Sequence, residues 1–279
     1  MINPLLKIVP SPTLKRRIMA GTFQAYSIYL IYLLVTFFWM TLLMTPRTWG
    51  LTAELAEAVR VGHKLLDTET DFAPHQIEKC FTPAIITLAR GWNQLSPKTQ
   101  NELRAVFARP NERGRYGAAF GNIDVPYKFE TPHFRLHYAM TGKHAPTEVV
   151  DFHPRNGVPD YVDLMADAAE KSYRIEIMTM GFKHPREDFW EASNGGDVKQ
   201  DIYLIKFGSL GLTVGEWFDG RMSPKAMNRP PYYLMNSHIY DVAGYGKSEG
   251  NIYIETTMAH EFFHGIQMAY NSDASTGAV

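Results

Sequence analysis

From Ile18 to Pro46 the chain carries no Asp, Glu, Lys, Arg or His. The centre of this run, Ile28 to Met44, holds only Thr36 and Thr41 besides apolar and aromatic side chains. Hydrocarbon offers a backbone no hydrogen-bond partners, so such a run must be a helix that satisfies its own amides and carbonyls. About 20 residues cross roughly 30 Å of bilayer core, and this run is long enough. Lys7, Lys15, Arg16 and Arg17 precede it, and only Arg47 follows closely. That imbalance predicts a cytoplasmic basic stub over 1–17 and an exported chain beyond 46. Residues 18–46 are therefore expected to be a signal anchor that ties the protein to the membrane. The alternative is a cleaved signal peptide and a secreted product. Signal peptides usually have an apolar region of about 7–15 residues and a small-x-small cleavage site, and Leu43-Met44-Thr45-Pro46 supplies no such site.

The 279 residues hold 28 basic and 29 acidic side chains. A net charge of -1 leaves no electrostatic footprint for nucleic acid, so no nucleic-acid partner is expected. A hydrophobic content of 45% belongs to a chain with a packed core rather than a disordered one. The single cysteine, Cys80, excludes an intrachain disulfide framework and any multi-cysteine metal site. Cys80 itself is expected to pack as a small apolar side chain.

Residues 47–121 read as a helical region, a spacer or a prosegment-like unit. Leu55, Ala58, Val59 and Gly62 open one amphipathic pattern, and Ala84 to Leu95 make another. Ser96-Pro97 matches the N-cap and first residue of a further helix, which Pro110 stops. Arg109 to Gly121 is a boundary loop. Residues 122–279 then change texture. Phe134, Leu136, Tyr138 and Met140 alternate as in a strand, and Asp201 to Phe207 is apolar on both faces. Pro231 to Tyr240 and Ile252 to Ile254 read as further strands. Between the first two strands a helix starts at Pro159 and ends at Gly181. A second helix begins near Thr256, and residues 208–230 read as a long surface loop. The expected fold of 122–279 is α+β with a mixed sheet.

His260-Glu261-Phe262-Phe263-His264 matches H-E-x-x-H. Residues four apart share a helix face, so both imidazoles can reach one zinc ion. Glu261 beside them would be general base, taking a proton from water and passing it to a leaving amine. Met258, Ala259, Phe262, Ile266 and Ala269 fall on the opposite face, which predicts a buried back and a polar front. The extended form with Gly and a third His is excluded, because Gln267 and Tyr270 stand at those positions. The remaining acid after His264 is Asp273, a possible ligand without special geometry. Upstream, His133, His137 and His238 are equal candidates. The motif thus predicts a metal site whose third ligand is missing, as in a chain that stops before it.

Four blocks in this order resemble a family of exported bacterial metalloproteases of the myxobacterial type. They are His133-Phe134-Arg135-Leu136-His137-Tyr138, Asn156-Gly157-Val158-Pro159-Asp160-Tyr161-Val162, Gly195-Gly196-Asp197 with Asp201-Ile202-Tyr203-Leu204, and Ala259 to Gln267 around the two histidines. The resemblance spans about residues 80–271. It implies a zincin-like catalytic domain, a protein or peptide substrate, and zinc on His260 and His264. It also implies a further helix with an acidic ligand beyond the motif, which this chain lacks. The leading expectation is a zinc peptidase of the cell envelope. The alternative is a non-catalytic binding or scaffold protein on a decayed metalloprotease fold.

The Asn-Gly-x-Pro-Asp block partly fits a calcium loop, with Gly157 at the sixth position and Asn156, Asp160 and Asp163 as oxygen donors. Phe152 and Pro154 fall where donors are needed, so Asp160 is equally a first-turn acid favoured by the helix dipole. Asp197, Asp201, Asp219 and Asp241 are further acids whose spacing demands no cluster.

Overall fold

The computed structural model describes residues 51–66, 80–111, 123–187, 197–215, 230–243 and 247–270. The expected signal anchor, most of the boundary loop, Asp219 and Asp273 lie outside the described residues. Among those described, no helix is long and apolar enough to cross a membrane.

Three apolar segments form the centre of a mixed sheet. These are β2 (Phe134–Tyr138), β3 (Gln200–Ile205) and β5 (Pro231–Asn236), each wholly buried. They run parallel, as strands buried on both faces commonly do. Two antiparallel edges complete the order β1-β2-β3-β5-β4, with β1 at Tyr127–Glu130 and β4 at Gly211–Gly215. Strand alternation sends successive side chains to two different cores. Leu136, Ile202, Leu204, Tyr233 and Met235 face one, and Tyr203, Ile205, Leu212, Val214, Tyr232 and Leu234 face the other.

Helices cover both faces. On the first lie α4 (Asp160–Tyr173), the short α5 (Ile239–Ala243) and α6 (Lys247–Tyr270). On the second lie α1 (Ala53–Leu66), α2 (Thr82–Arg90) and α3 (Pro97–Leu103). The predicted helical region therefore shares a core with the sheet: Leu55, Val61, Ile85 and Leu88 pack with Leu212 and Val214. Ser96 caps α3 as read from sequence, its hydroxyl accepting from Thr99 N at 3.1 Å. Pro159 starts α4, which runs into a π-helical turn at Arg174–Thr179 and ends near Gly181 at φ +74°.

Three expectations are corrected. Ile252 to Ile254 is not a strand but part of α6, which starts well before Thr256. Ile254, Met258, Phe262 and Ile266 repeat every four residues and are each at most 1% exposed, so the helical period overrides three β-favouring residues. The stretch 208–230 is not all surface loop, because β4 lies within it and is fully buried. β4 begins and ends on glycine, which masks its pattern. One reason for a glycine is contact: a Cβ on Gly211 would sit 2.6 Å from Glu261 Cγ. β1 had no clear sequence signal, since its side chains are mostly exposed.

A similar close approach fixes α6 on the sheet. A Cβ on Gly265 would lie 2.2 Å from the hydroxyl of Tyr233, itself fully buried. Gly265→Ala is expected to destabilise the fold by about 1–3 kcal/mol, because overpacking outweighs the better helix propensity of alanine. An unchanged denaturation midpoint would refute this close packing.

The π-helical turn buries Glu176, whose Oε2 has no partner among the described residues. Burial pushes its carboxyl up to about 7. Between the ordinary carboxylate range and about pH 7, the folded chain holds a proton that the unfolded chain has lost, so stability falls as pH rises. Glu176→Gln is expected to flatten that dependence in melts taken across pH 4.5 to 8.

The helical layer is tied to the sheet by a buried charged cluster. Arg109 donates to Asp201 Oδ2 at 2.8 Å and to the Tyr203 hydroxyl at 3.0 Å. His137 Nε2 lies 2.6 Å from Asp201 Oδ1 and stacks on Tyr203. Burial opposes ionisation of Asp201, but His137 and Arg109 outweigh it and hold the carboxyl below its usual range. Burial keeps His137 neutral in spite of Asp201. The tautomer consistent with this donates from Nε2, and Nδ1 has no partner among the described residues.

Candidate metal centre

The two motif histidines project from α6 as their spacing requires. His260 is exposed, His264 half-buried, and their Nε2 atoms are 3.1 Å apart. Met258, Phe262, Ile266 and Ala269 are buried on the far side as expected, while Ala259 is half-buried. A third donor arrives from outside the helix. Cys80, shortly before α2, places Sγ 3.2 Å from His264 Nε2. The donor atoms of Cys80, His260 and His264 all lie within 4.8 Å of one another, so this group could hold a metal ion. No other such grouping of three His, Cys, Asp or Glu side chains occurs among the described residues.

The donor set suits zinc. Zinc binds imidazole nitrogen at about 2.0–2.1 Å and thiolate at about 2.3 Å, which spreads tetrahedral donors to roughly 3.3–3.6 Å. The His260–His264 and Cys80–His264 donor separations of 3.1 and 3.2 Å lie close to that range. Burial holds His264 below its usual pKa, with His260 adding to the effect, so its ring is neutral and offers a lone pair. Its Nδ1 lies 2.8 Å from the Gln267 side-chain oxygen, which accepts a hydrogen bond from Nδ1–H and leaves Nε2 as the ligand. Burial, and then the charge of Glu261, pushes the Cys80 thiol up. An ion would have to displace that proton.

Glu261 departs from expectation. It does not sit on the open front beside the histidines but is fully buried between α6, β4 and the start of α2. Thr213 of β4 puts its hydroxyl 2.7 Å from Glu261 Oε2, and the Thr82 hydroxyl donates to the same oxygen at 3.2 Å. Oε1 has no partner among the described residues. Burial pushes this carboxyl up to about 7 against the lowering effect of Thr213 and Thr82. That value suits a group that takes and returns a proton near neutrality.

The other predicted residues lie elsewhere. His133 pairs with Glu170 at 2.8 Å and stacks on Tyr173. His137 belongs to the Arg109 cluster, and His238 contacts Asp241 at 3.0 Å. Asp197 pairs with Arg135, Asp201 with Arg109 and His137, and Asp241 with His238. In the Asn-Gly-x-Pro-Asp loop, Asp160 Oδ1 accepts the backbone N–H groups of Phe152 and His153 at 2.7 and 3.0 Å. Asp163 accepts from the side-chain amide of Asn156 at 3.0 Å. These bonds account for Asp160 as a loop-closing, first-turn acid.

Thr82 and Thr213 carry no sequence signal for the site, and Cys80, expected to pack as a small apolar residue, is half-buried and faces His264. Cys80 and His264 are 184 positions apart, and no local pattern joins them. Comparison with family models, with curated proteins and with solved structures finds no match.

Proposed function

We propose that the protein is a zinc-dependent peptidase working outside the cytoplasm, with a zincin-like catalytic unit tethered by the apolar run over 18–46. The observation that carries this reading is the convergence of His260 Nε2, His264 Nε2 and Cys80 Sγ, with Glu261 of the same helix buried behind the histidines' open front. The order of the four sequence blocks that resemble exported metalloproteases supports it further.

Zinc held there would supply Lewis acidity toward water and the scissile carbonyl. The chain's own residues supply the rest. Glu261 takes the proton of the attacking water on its unpartnered Oε1 and passes it to the leaving nitrogen. Thr213 holds Oε2, which aims the other oxygen. Gln267 fixes the tautomer of His264. β4 lies at the sheet edge, where an extended peptide can pair with it.

Metal analysis of the purified full chain tests the reading. It is expected to bind about one zinc per chain, and the His260→Ala/His264→Ala variant none. Equal zinc contents in the two would refute it. The closure of the site by Cys80 favours a second reading, a non-catalytic metal-stabilised scaffold. In that case the chain binds zinc but no variant cleaves protein.

A further inference from the structure

The geometry points to an internal strap: Cys80 to Thr82 closes the proposed peptidase site and holds the chain latent. This rests on the peptidase reading and adds its regulation. Three things must be free for hydrolysis, namely a coordination position for water, the carboxyl of Glu261, and the edge of β4. Residues of one short segment occupy all three. Cys80 Sγ sits against His264 at 3.2 Å, in reach of an ion on both histidines. Thr82 donates to Glu261 Oε2, and with Thr213 it seals a carboxyl that has no exposed surface. The same Thr82 oxygen accepts the Thr213 N–H at 3.0 Å. That amide lies on the edge of the sheet, so the hydroxyl takes the place of a substrate carbonyl.

The segment is anchored from behind. Phe81 is 1% exposed and packs in the core shared by α1, α2 and the sheet. Phe81 therefore holds the strap from the helical side while Cys80 and Thr82 face the site. A metal ion held by the two histidines would take the Cys80 sulfur as a ligand, the thiol proton going to solvent. No bond to carbon is made or broken, and no oxidant is needed. Removal of Cys80 from the metal opens a position for water. Withdrawal of Thr82 then frees Glu261 and the β4 edge together, because one hydroxyl serves both.

The test uses the full chain in detergent, loaded with zinc or stripped with a chelator. An aromatic disulfide reagent reports the thiol, and fluorescently labelled casein reports cleavage. Zinc is expected to slow labelling of Cys80 by about tenfold or more, since a coordinated thiolate is a poor nucleophile. His260→Ala/His264→Ala is expected to abolish that protection. Cys80→Ala is expected to retain zinc and to cleave casein at least about tenfold faster than the parent, as an equilibrium released from its closed state would. Thr82→Val, which keeps the side-chain shape, is expected to raise cleavage as well. Cys80→Ala that keeps zinc but cleaves no faster overturns the strap alone. So does loss of zinc from Cys80→Ala at concentrations that load the parent, because Cys80 is then a ligand the site requires. A parent that binds no more zinc than the double histidine variant overturns the peptidase reading itself. Zinc bound with a protected thiol, but no cleavage by any variant, overturns both.

Discussion

Glu261→Gln is expected to lower kcat/KM for peptide hydrolysis by about 10²–10⁴, the usual worth of a positioned general base. The effect should be measured with Cys80→Ala as parent, in which the coordination position is expected to be free. Glutamine keeps an oxygen for the hydroxyls of Thr213 and Thr82, so the helix, the edge strand and the zinc content are expected to stay as they are. Stability is expected to move the other way from activity. The fold holds the Glu261 carboxyl at about 7, well above its ordinary value, because burial disfavours the charge. Above that pH the ionised side chain is a cost to the metal-free fold, and the cost disappears as pH falls to the ordinary carboxylate range. Glutamine removes it. The metal-free variant should therefore melt no lower than the parent at pH 8. A loss of activity accompanied by a loss of zinc or a lower melting temperature would make Glu261 structural rather than catalytic.

Arg109→Met is expected to destabilise the fold by about 3–5 kcal/mol, the cost of leaving one partner of a buried ion pair uncompensated. Arg109 is 3% exposed and Asp201 is 1% exposed, and the flanking His137 is neutral. Removal of the guanidinium leaves a carboxylate in a low-dielectric interior with the neutral His137 ring as its close donor and Arg135 opposite in the strand register. Methionine matches much of the volume, so the loss reports charge rather than a cavity. Arg109→Met/Asp201→Asn is expected to recover most of it, because no isolated charge then remains. Denaturant unfolding of the single and double variants reads both values, and a single variant within about 1 kcal/mol of the parent would show the pair to be energetically idle. The pH dependence gives a second check. In the parent, Asp201 titrates below its ordinary value, so it contributes stability above that value and loses it as pH falls through the folded one. Without Arg109 that contribution should shrink or reverse.

Much of the local structure was legible in the residues. Phe134, Leu136 and Tyr138 alternate because one face of β2 meets α4 and α6, and Ser96-Pro97 starts a helix because a hydroxyl and a ring suit its first turn. The two histidines of α6 needed only the helical repeat. Elements whose patterns are short or blunted were misjudged. β4 hides its burial behind two glycines, one of them required by the approach of Glu261. Ile252 to Ile254 imitates a strand over three residues, too few to outweigh the four-residue repeat that continues to Ile266.

The sequence alone determined which side chains can share a helix face, and so put His260 and His264 together and Glu261 next to them in the chain. Spacing along a helix is a local property, set by hydrogen bonds four residues long. The tertiary structure decided everything that depends on which layers meet. It brought Cys80 across 184 residues to His264. It turned Glu261 inward to Thr82 and Thr213, and it laid the start of α2 over the edge of β4. Those contacts arise from two apolar faces closing on one sheet. That event leaves no periodic mark near Cys80, which is why a residue with no local signal became the third donor of the candidate metal centre.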